Sequence, residues 1–172
     1  MDETVKEAFD RVYEYAKGKK ELLLLVTGSE YVRDHPAVIL AVLDNFLPFV
    51  WQGRLQLIEG GNGGVDRSVR FWIHTQDVYH LSVLAKGQRQ STLDDRYRLR
   101  EKSPLIRSQM MINKRPDFVV AFPLRGASKN VPDETSIVIR MAKDAGILTL
   151  VFEYNPETSR ISYFEYFNGN GN

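Results

Sequence analysis

The chain has 172 residues, 43% hydrophobic and 26% charged, and 23 Lys and Arg against 22 Asp and Glu leave a formal charge of +1. That balance describes one ordinary globular domain and excludes the domain-wide basic excess of a dedicated nucleic-acid binder. With no cysteine and three histidines, disulfide frameworks, zinc–thiolate sites and cysteine nucleophiles are excluded, and neither a metal centre nor a cofactor is expected.

The acidic start, Met1-Asp2-Glu3, is unlike a secretory signal. No apolar run reaches the about 18 residues that cross a bilayer, so a cytoplasmic protein without membrane contact is expected. Val5, Ala8, Phe9, Val12 and Ala16 recur at helical spacing and predict an amphipathic helix ending near Gly18, its stripe turned to the body of the protein. Leu22-Leu23-Leu24-Leu25-Val26 is apolar throughout and stops at Thr27-Gly28-Ser29, the pattern of a buried parallel strand, expected to be central. Pro36 starts a helix that buries Val38, Ile39, Val42, Leu43 and Phe46. Leu55-Gln56-Leu57-Ile58 is the second strand, closed by Glu59-Gly60-Gly61-Asn62-Gly63-Gly64, and the helix after it carries Val65, Val69, Trp72 and Ile73. Residues 78–84 predict a third strand, and the polar stretch 85–102 is long for a connection in a compact domain.

Ser103-Pro104 is an N-cap followed by a first-turn proline, opening a helix with Leu105, Ile106, Met110 and Met111. Phe118-Val119-Val120-Ala121-Phe122 is the fourth strand, closed by Pro123-Leu124-Arg125-Gly126. Pro132 starts a helix through Ile137, Val138, Met141 and Ala142, with Gly146 as its C-terminal cap. Residues 147–152 form the fifth strand, Asn155-Pro156-Glu157 a turn, and residues 161–167 an antiparallel edge strand. Asn168-Gly169-Asn170-Gly171-Asn172 reads as a flexible tail. Strands that alternate with helices and are apolar right through imply a parallel sheet covered on both faces. The whole is one domain over 1–172: an N-terminal helix (1–20), a core (22–152), an edge strand (153–167) and the tail (168–172).

The glycine turns at Thr27-Gly28-Ser29, at 60–64 and at Arg125-Gly126-Ala127-Ser128 each follow a strand and precede a helix, so all fall on the carboxyl edge of one sheet. That edge is where open α/β sheets hold ligands. Glycine lets backbone N–H groups approach an anion, and a helix N-terminus adds partial positive charge, so phosphate is the natural occupant. Neither the P-loop nor the dinucleotide fingerprint is satisfied.

Val26-Thr27-Gly28-Ser29, Gly60-Gly61-Asn62-Gly63-Gly64-Val65-Asp66, Arg107 with Met111, and the run Asp117-Phe118-Val119-Val120-Ala121-Phe122-Pro123 together resemble the SLOG superfamily. That group includes the LOG phosphoribohydrolases and the DNA-processing protein DprA. Order and spacing are most similar to its stand-alone YspA-like branch, over about residues 22–152. The resemblance implies a three-layer Rossmann-like, doubly wound, mostly parallel sheet of about five strands, holding a nucleotide-derived ligand with its phosphate over the last glycine turn. Carried over by position, Thr27, Gly28 and Ser29 line the first loop, and Gly60, Gly61, Asn62, Gly63 and Gly64 the second. Pro123, Arg125, Gly126 and Ser128 line the third. Asp66 suits a ribose hydroxyl, or is simply a helix-start carboxylate favourable to the dipole. Arg107 corresponds to an active-site arginine of the LOG enzymes, suited to a phosphate or a departing base. As an arginine on an amphipathic helix, it is otherwise a surface residue.

The family's Gly-Gly-x-Gly signature is here Leu124-Arg125-Gly126-Ala127, residues 129–133 are extra, and Glu30 stands where the branch has an arginine. Arg125 compensates by contacting phosphate directly, or a different anion is held. Glu134 is the nearest match to the LOG glutamate that stabilises oxocarbenium character at the ribose; Asp133-Glu134 is equally what a helix start prefers. The basic, Tyr97-containing loop 86–102 is solvated, folds as a lid, or contacts single-stranded DNA. The expected function is binding of an ADP-ribose or nucleoside-phosphate type ligand by a sensor or sequestering protein. The alternatives are a LOG-like phosphoribohydrolase with Arg107 and Glu134 as catalytic residues, and a DprA-like single-stranded DNA binder. A homodimer, with the N-terminal helix as a contact, stays open.

Overall fold

A computed structural model of the chain describes residues 3–29, 32, 36–59, 64–76, 104–125 and 134–169. Strands β1 (Leu22–Gly28), β2 (Leu55–Ile58), β3 (Phe118–Phe122), β4 (Leu148–Asn155) and β5 (Arg160–Asn168) form a five-stranded sheet in the order β2-β1-β3-β4-β5. β1 lies parallel to β2 and β3, and β3 parallel to β4. β5 runs antiparallel to β4 from Leu148↔Asn168 to Asn155↔Arg160, as the edge strand expected at the C-terminus. β1 is interior, with a neighbour on each side, but β3 holds the middle position. The predicted strand at 78–84 lies outside the described residues.

Alternate residues of the unbroken apolar strands serve two cores. Leu22, Leu24 and Val26, with Phe118, Val120 and Phe122, face α1 (Glu3–Ala16), α2 (Pro36–Leu43), a 3-10 turn (Asp44–Phe46), α3 (Leu47–Trp51) and α4 (Val65–Gln76). Leu25, Ile58 and Val119 face Met111 and Ile112 of α5 (Pro104–Asn113) and Val138 and Ala142 of α6 (Glu134–Asp144). This is why the strands do not alternate apolar with polar: both faces are covered, and each fully buried Leu or Phe contributes roughly 1.5–3 kcal/mol. The fold is therefore a three-layer, doubly wound α/β domain of Rossmann-like type. No helix among the described residues is long and apolar enough to cross a membrane.

The stripe of α1 is spent on this body, with Ala8, Phe9, Val12 and Ala16 buried and the Phe9 ring edge-on to Phe46 at 5.6 Å. Gly18 ends the helix at φ +80°, and Arg54 donates to the carbonyls of Ala16 and Lys19, neutralising the C-terminal end of the dipole. The helix expected to run from Pro36 through Phe46 instead tightens at Asp44, and a further short helix, α3, follows with Pro48 in its first turn. The turn at 156–159 is fixed by Asn155, whose side chain accepts from Glu157 N–H at 2.9 Å. Residues 168 and 169 are not tail: Asn168 pairs with Leu148, and Gly169 packs against the Gly146 carbonyl.

Candidate functional site at the carboxyl edge of the sheet

Because four strands are parallel, their C-terminal ends and the helix starts that follow share one edge. The chain passes from β1 to β2 on one side, then returns across β1 to β3 on the other. The order therefore reverses between β1 and β3, the position at which such sheets open a crevice.

Thr27 and Gly28 prove to be the last residues of β1 itself, paired with Ala121 and Phe122. Ser29 continues the ladder by donating its N–H to the Phe122 carbonyl at 3.2 Å, and its own carbonyl accepts from Val32 and Val65 N–H at 3.3 and 3.4 Å. Ser29 thereby satisfies an N–H in the first turn of α4. Gly28 is required by packing: a Cβ there would lie 2.8 Å from Val65 Cβ, 2.9 Å from its Cγ1 and closer still to Cγ2. Gly64 takes φ +65° just ahead of the helix, where a side chain would be strained. Asp66 is the second residue of α4, as expected.

On the β3 side, Leu124 forms a parallel bridge with Tyr154. Arg125 donates its N–H to the Tyr154 carbonyl at 2.7 Å, and Tyr154 returns one to Pro123 at 2.8 Å. This holds Pro123 and Arg125 beyond the end of β3, with Arg125 exposed to solvent. Gly60, Gly61, Asn62, Gly63, Gly126 and Ser128 lie outside the described residues, as does the loop 86–102.

The structure brings the two residues proposed for chemistry into contact. Arg107, in the first turn of α5, has its Nε 3.2 Å from Oε1 of Glu134, the first residue of α6. Arg107 is only 3% exposed, so the surface-arginine alternative fails; Glu134 is 21% exposed. A helix arginine buried beside the start of another helix places permanent positive charge where both dipoles already favour an anion.

Two residues that sequence reasoning passed over belong to the same region. Glu59, directly after β2, is completely buried. Its signal was present as a single acid at the end of an apolar strand, a place where burial of a carboxylate is uncommon without a role. Ser108, beside Arg107, is also fully buried, and its hydroxyl has no hydrogen-bond partner among the described residues.

Among the described residues no group of three or more His, Asp or Glu side chains is arranged to hold a metal ion. Among the described residues two clefts lie elsewhere. One, of about 550 Å³, sits at the opposite end of α5 and α6 beside Asn113, Arg115 and Ala145. The other, of about 530 Å³, is an apolar groove between α1, α2 and β5. No protein-family model matches the chain, and no curated protein matches it.

Proposed function

We propose that the protein binds a phosphorylated, nucleotide-derived small molecule, of the ADP-ribose or nucleoside-phosphate kind, as a sensor or sequestering protein. The observation that carries this reading is Arg107, a guanidinium 3% exposed in the first turn of α5, on the same edge as the β1–β3 reversal and the first turn of α4. Backbone amides at helix starts and a buried arginine are the equipment for a compact anion. The motif resemblance to the SLOG superfamily points the same way. Calorimetry with AMP, ADP and ADP-ribose tests it: binding is expected, and Arg107→Ala or Arg125→Glu should weaken it at least about tenfold, the scale of a lost charge-assisted contact. Unchanged affinity in both variants would overturn the assignment.

A second reading, hydrolysis of the N-glycosidic bond of a nucleoside 5′-monophosphate, is favoured by one observation, the 3.2 Å approach of Arg107 and Glu134 at this edge. In it Arg107 holds the phosphate or leaving base while Glu134 stabilises positive charge developing on the ribose. Chromatography would then detect free base released from AMP-type substrates and none with Glu134→Ala. No release from a broad nucleotide panel removes this reading and leaves the first standing.

A further inference from the structure

We infer that Glu134 is a built-in counter-anion that occupies the anion position of Arg107 and is displaced when a ligand phosphate binds. The inference rests on the phosphate-binding reading above. A buried guanidinium cannot shed its charge, so it requires a negative partner in every state of the protein. Glu134 Oε1, at 3.2 Å from Nε, is such a partner. The exposures of the pair differ in an informative way. Arg107 is 3% exposed, but Glu134 is 21% exposed, so the carboxylate stands on the solvent side and the position it fills is open to exchange.

The helix dipoles here do not favour a carboxylate over a phosphate. Arg107 is in the first turn of α5 and Glu134 opens α6, helices of 10 and 11 residues whose positive ends lie at this edge. A phosphate monoester carries nearly twice the charge of a carboxylate and three acceptor oxygens, so it gains more from the same donors. Exchange frees a carboxylate that is already partly hydrated, which keeps its cost low. Binding therefore switches the link between α5 and α6 from an internal ion pair to a ligand bridge. The competing account is a permanent brace between the two helices, indifferent to ligand.

The two accounts differ in the sign of one effect. Calorimetry with inorganic phosphate would compare the wild type with Glu134→Gln and Arg107→Ala, each checked for native circular dichroism. Removing the internal competitor should make Glu134→Gln bind phosphate about tenfold more tightly than wild type, and phosphate should raise its Tm by more than it raises that of the wild type. Arg107→Ala should bind neither more tightly nor detectably. Equal or weaker binding by Glu134→Gln, with the wild type still binding through Arg107, overturns the counter-anion and leaves the phosphate site intact. Absence of phosphate binding in wild type and Glu134→Gln alike overturns both. Should Glu134→Gln fail to fold, Glu134→Asp, whose shorter arm reaches Arg107 less well, must bind phosphate more tightly than wild type, or the inference fails.

Discussion

A methyl group added at Gly28 would lie under 3.0 Å from three atoms of the Val65 side chain, closer than real Cβ atoms come to their neighbours. Gly28 ends β1 and Val65 opens α4, so this one contact sets how closely the helix start approaches the β1–β3 reversal. Gly28→Ala should therefore cost about 1–3 kcal/mol, the usual penalty for overpacking, measured as a lower urea midpoint with an unchanged slope. The cause is steric, which makes the cost conditional on its neighbour. In the Val65→Ala background the same substitution should cost clearly less, because the three offending atoms are reduced to one. Strict additivity of the two variants would show that Gly28 is required for some other reason.

The attachment of α1 supplies the clearest test on the scale of elements. Asp117, just ahead of β3, accepts from Leu23 N–H at 2.8 Å with one oxygen and from the Tyr15 hydroxyl at 2.8 Å with the other. Lys19 closes the group, donating to Tyr15 at 2.6 Å and lying 4.1 Å over its ring. Burial pushes the Tyr15 hydroxyl above its ordinary 10.0, and Asp117 adds to the effect. The hydrogen bond to Tyr15, then Asp117, raises Lys19. Tyr13 and Tyr166 are raised by burial and, secondarily, by Asp10 and Glu7. In each case the folded state holds its proton more tightly than the unfolded chain. The stabilisation is thus complete below about pH 10 and is lost as pH climbs through the raised values. Urea midpoints should be flat near pH 8 and fall toward pH 11, and Tyr15→Phe, weaker at the start, should fall less steeply. A wild-type midpoint that held constant to pH 11 would contradict these assignments. The elements themselves were largely legible: Leu22 to Val26 and Phe118 to Phe122 are apolar throughout because both their faces are covered, and Pro36, Pro104, Gly18 and Gly146 mark helix ends by fixed backbone chemistry. What stayed hidden depends on partners distant in sequence. The length of β4 is set by β5, and Asn168 and Gly169, tail-like in composition, are held by Leu148 and Gly146. Five residues of α3 are too few to display a period. At the candidate site the placement of Gly28 and Gly64 on the carboxyl edge was readable, whereas the burial of Arg107 was not, since an arginine on an amphipathic helix reads as solvent-facing until a second helix covers it.

Across the whole molecule the two ends of the sheet differ in electrostatics and the two ends of β1 differ in tightness, and both differences bear on where a phosphate goes. The cleft of about 550 Å³ lies at the amino edge of the strands, beside the C-terminal ends of α5 and α6, with Arg115 the one cation among its described lining residues. Helix carbonyls there disfavour an anion, whereas the carboxyl edge offers the starts of α4, α5 and α6 together with Arg107. β1 is also bonded unevenly. At the amino edge Leu22 N–H reaches the Arg54 carbonyl at 2.8 Å and Asp117 N–H the Leu23 carbonyl at 2.8 Å, but around Ser29 the bonds lengthen to between 3.2 and 3.4 Å. Longer bonds at the end of a strand open more readily, so amides of Ser29, Val32 and Val65 should exchange with solvent faster than those in the middle of β1 and β3. A ligand anion settling on that edge would tighten them. Saturating AMP or inorganic phosphate should therefore slow hydrogen exchange at Ser29, Val65, Arg107 and Arg125 and leave Asn113, Arg115 and Ala145 unchanged. Protection confined to the amino-edge cleft would move the binding site to the other end of the sheet, because a ligand held against helix carbonyls by Arg115 would leave the carboxyl-edge amides opening as before.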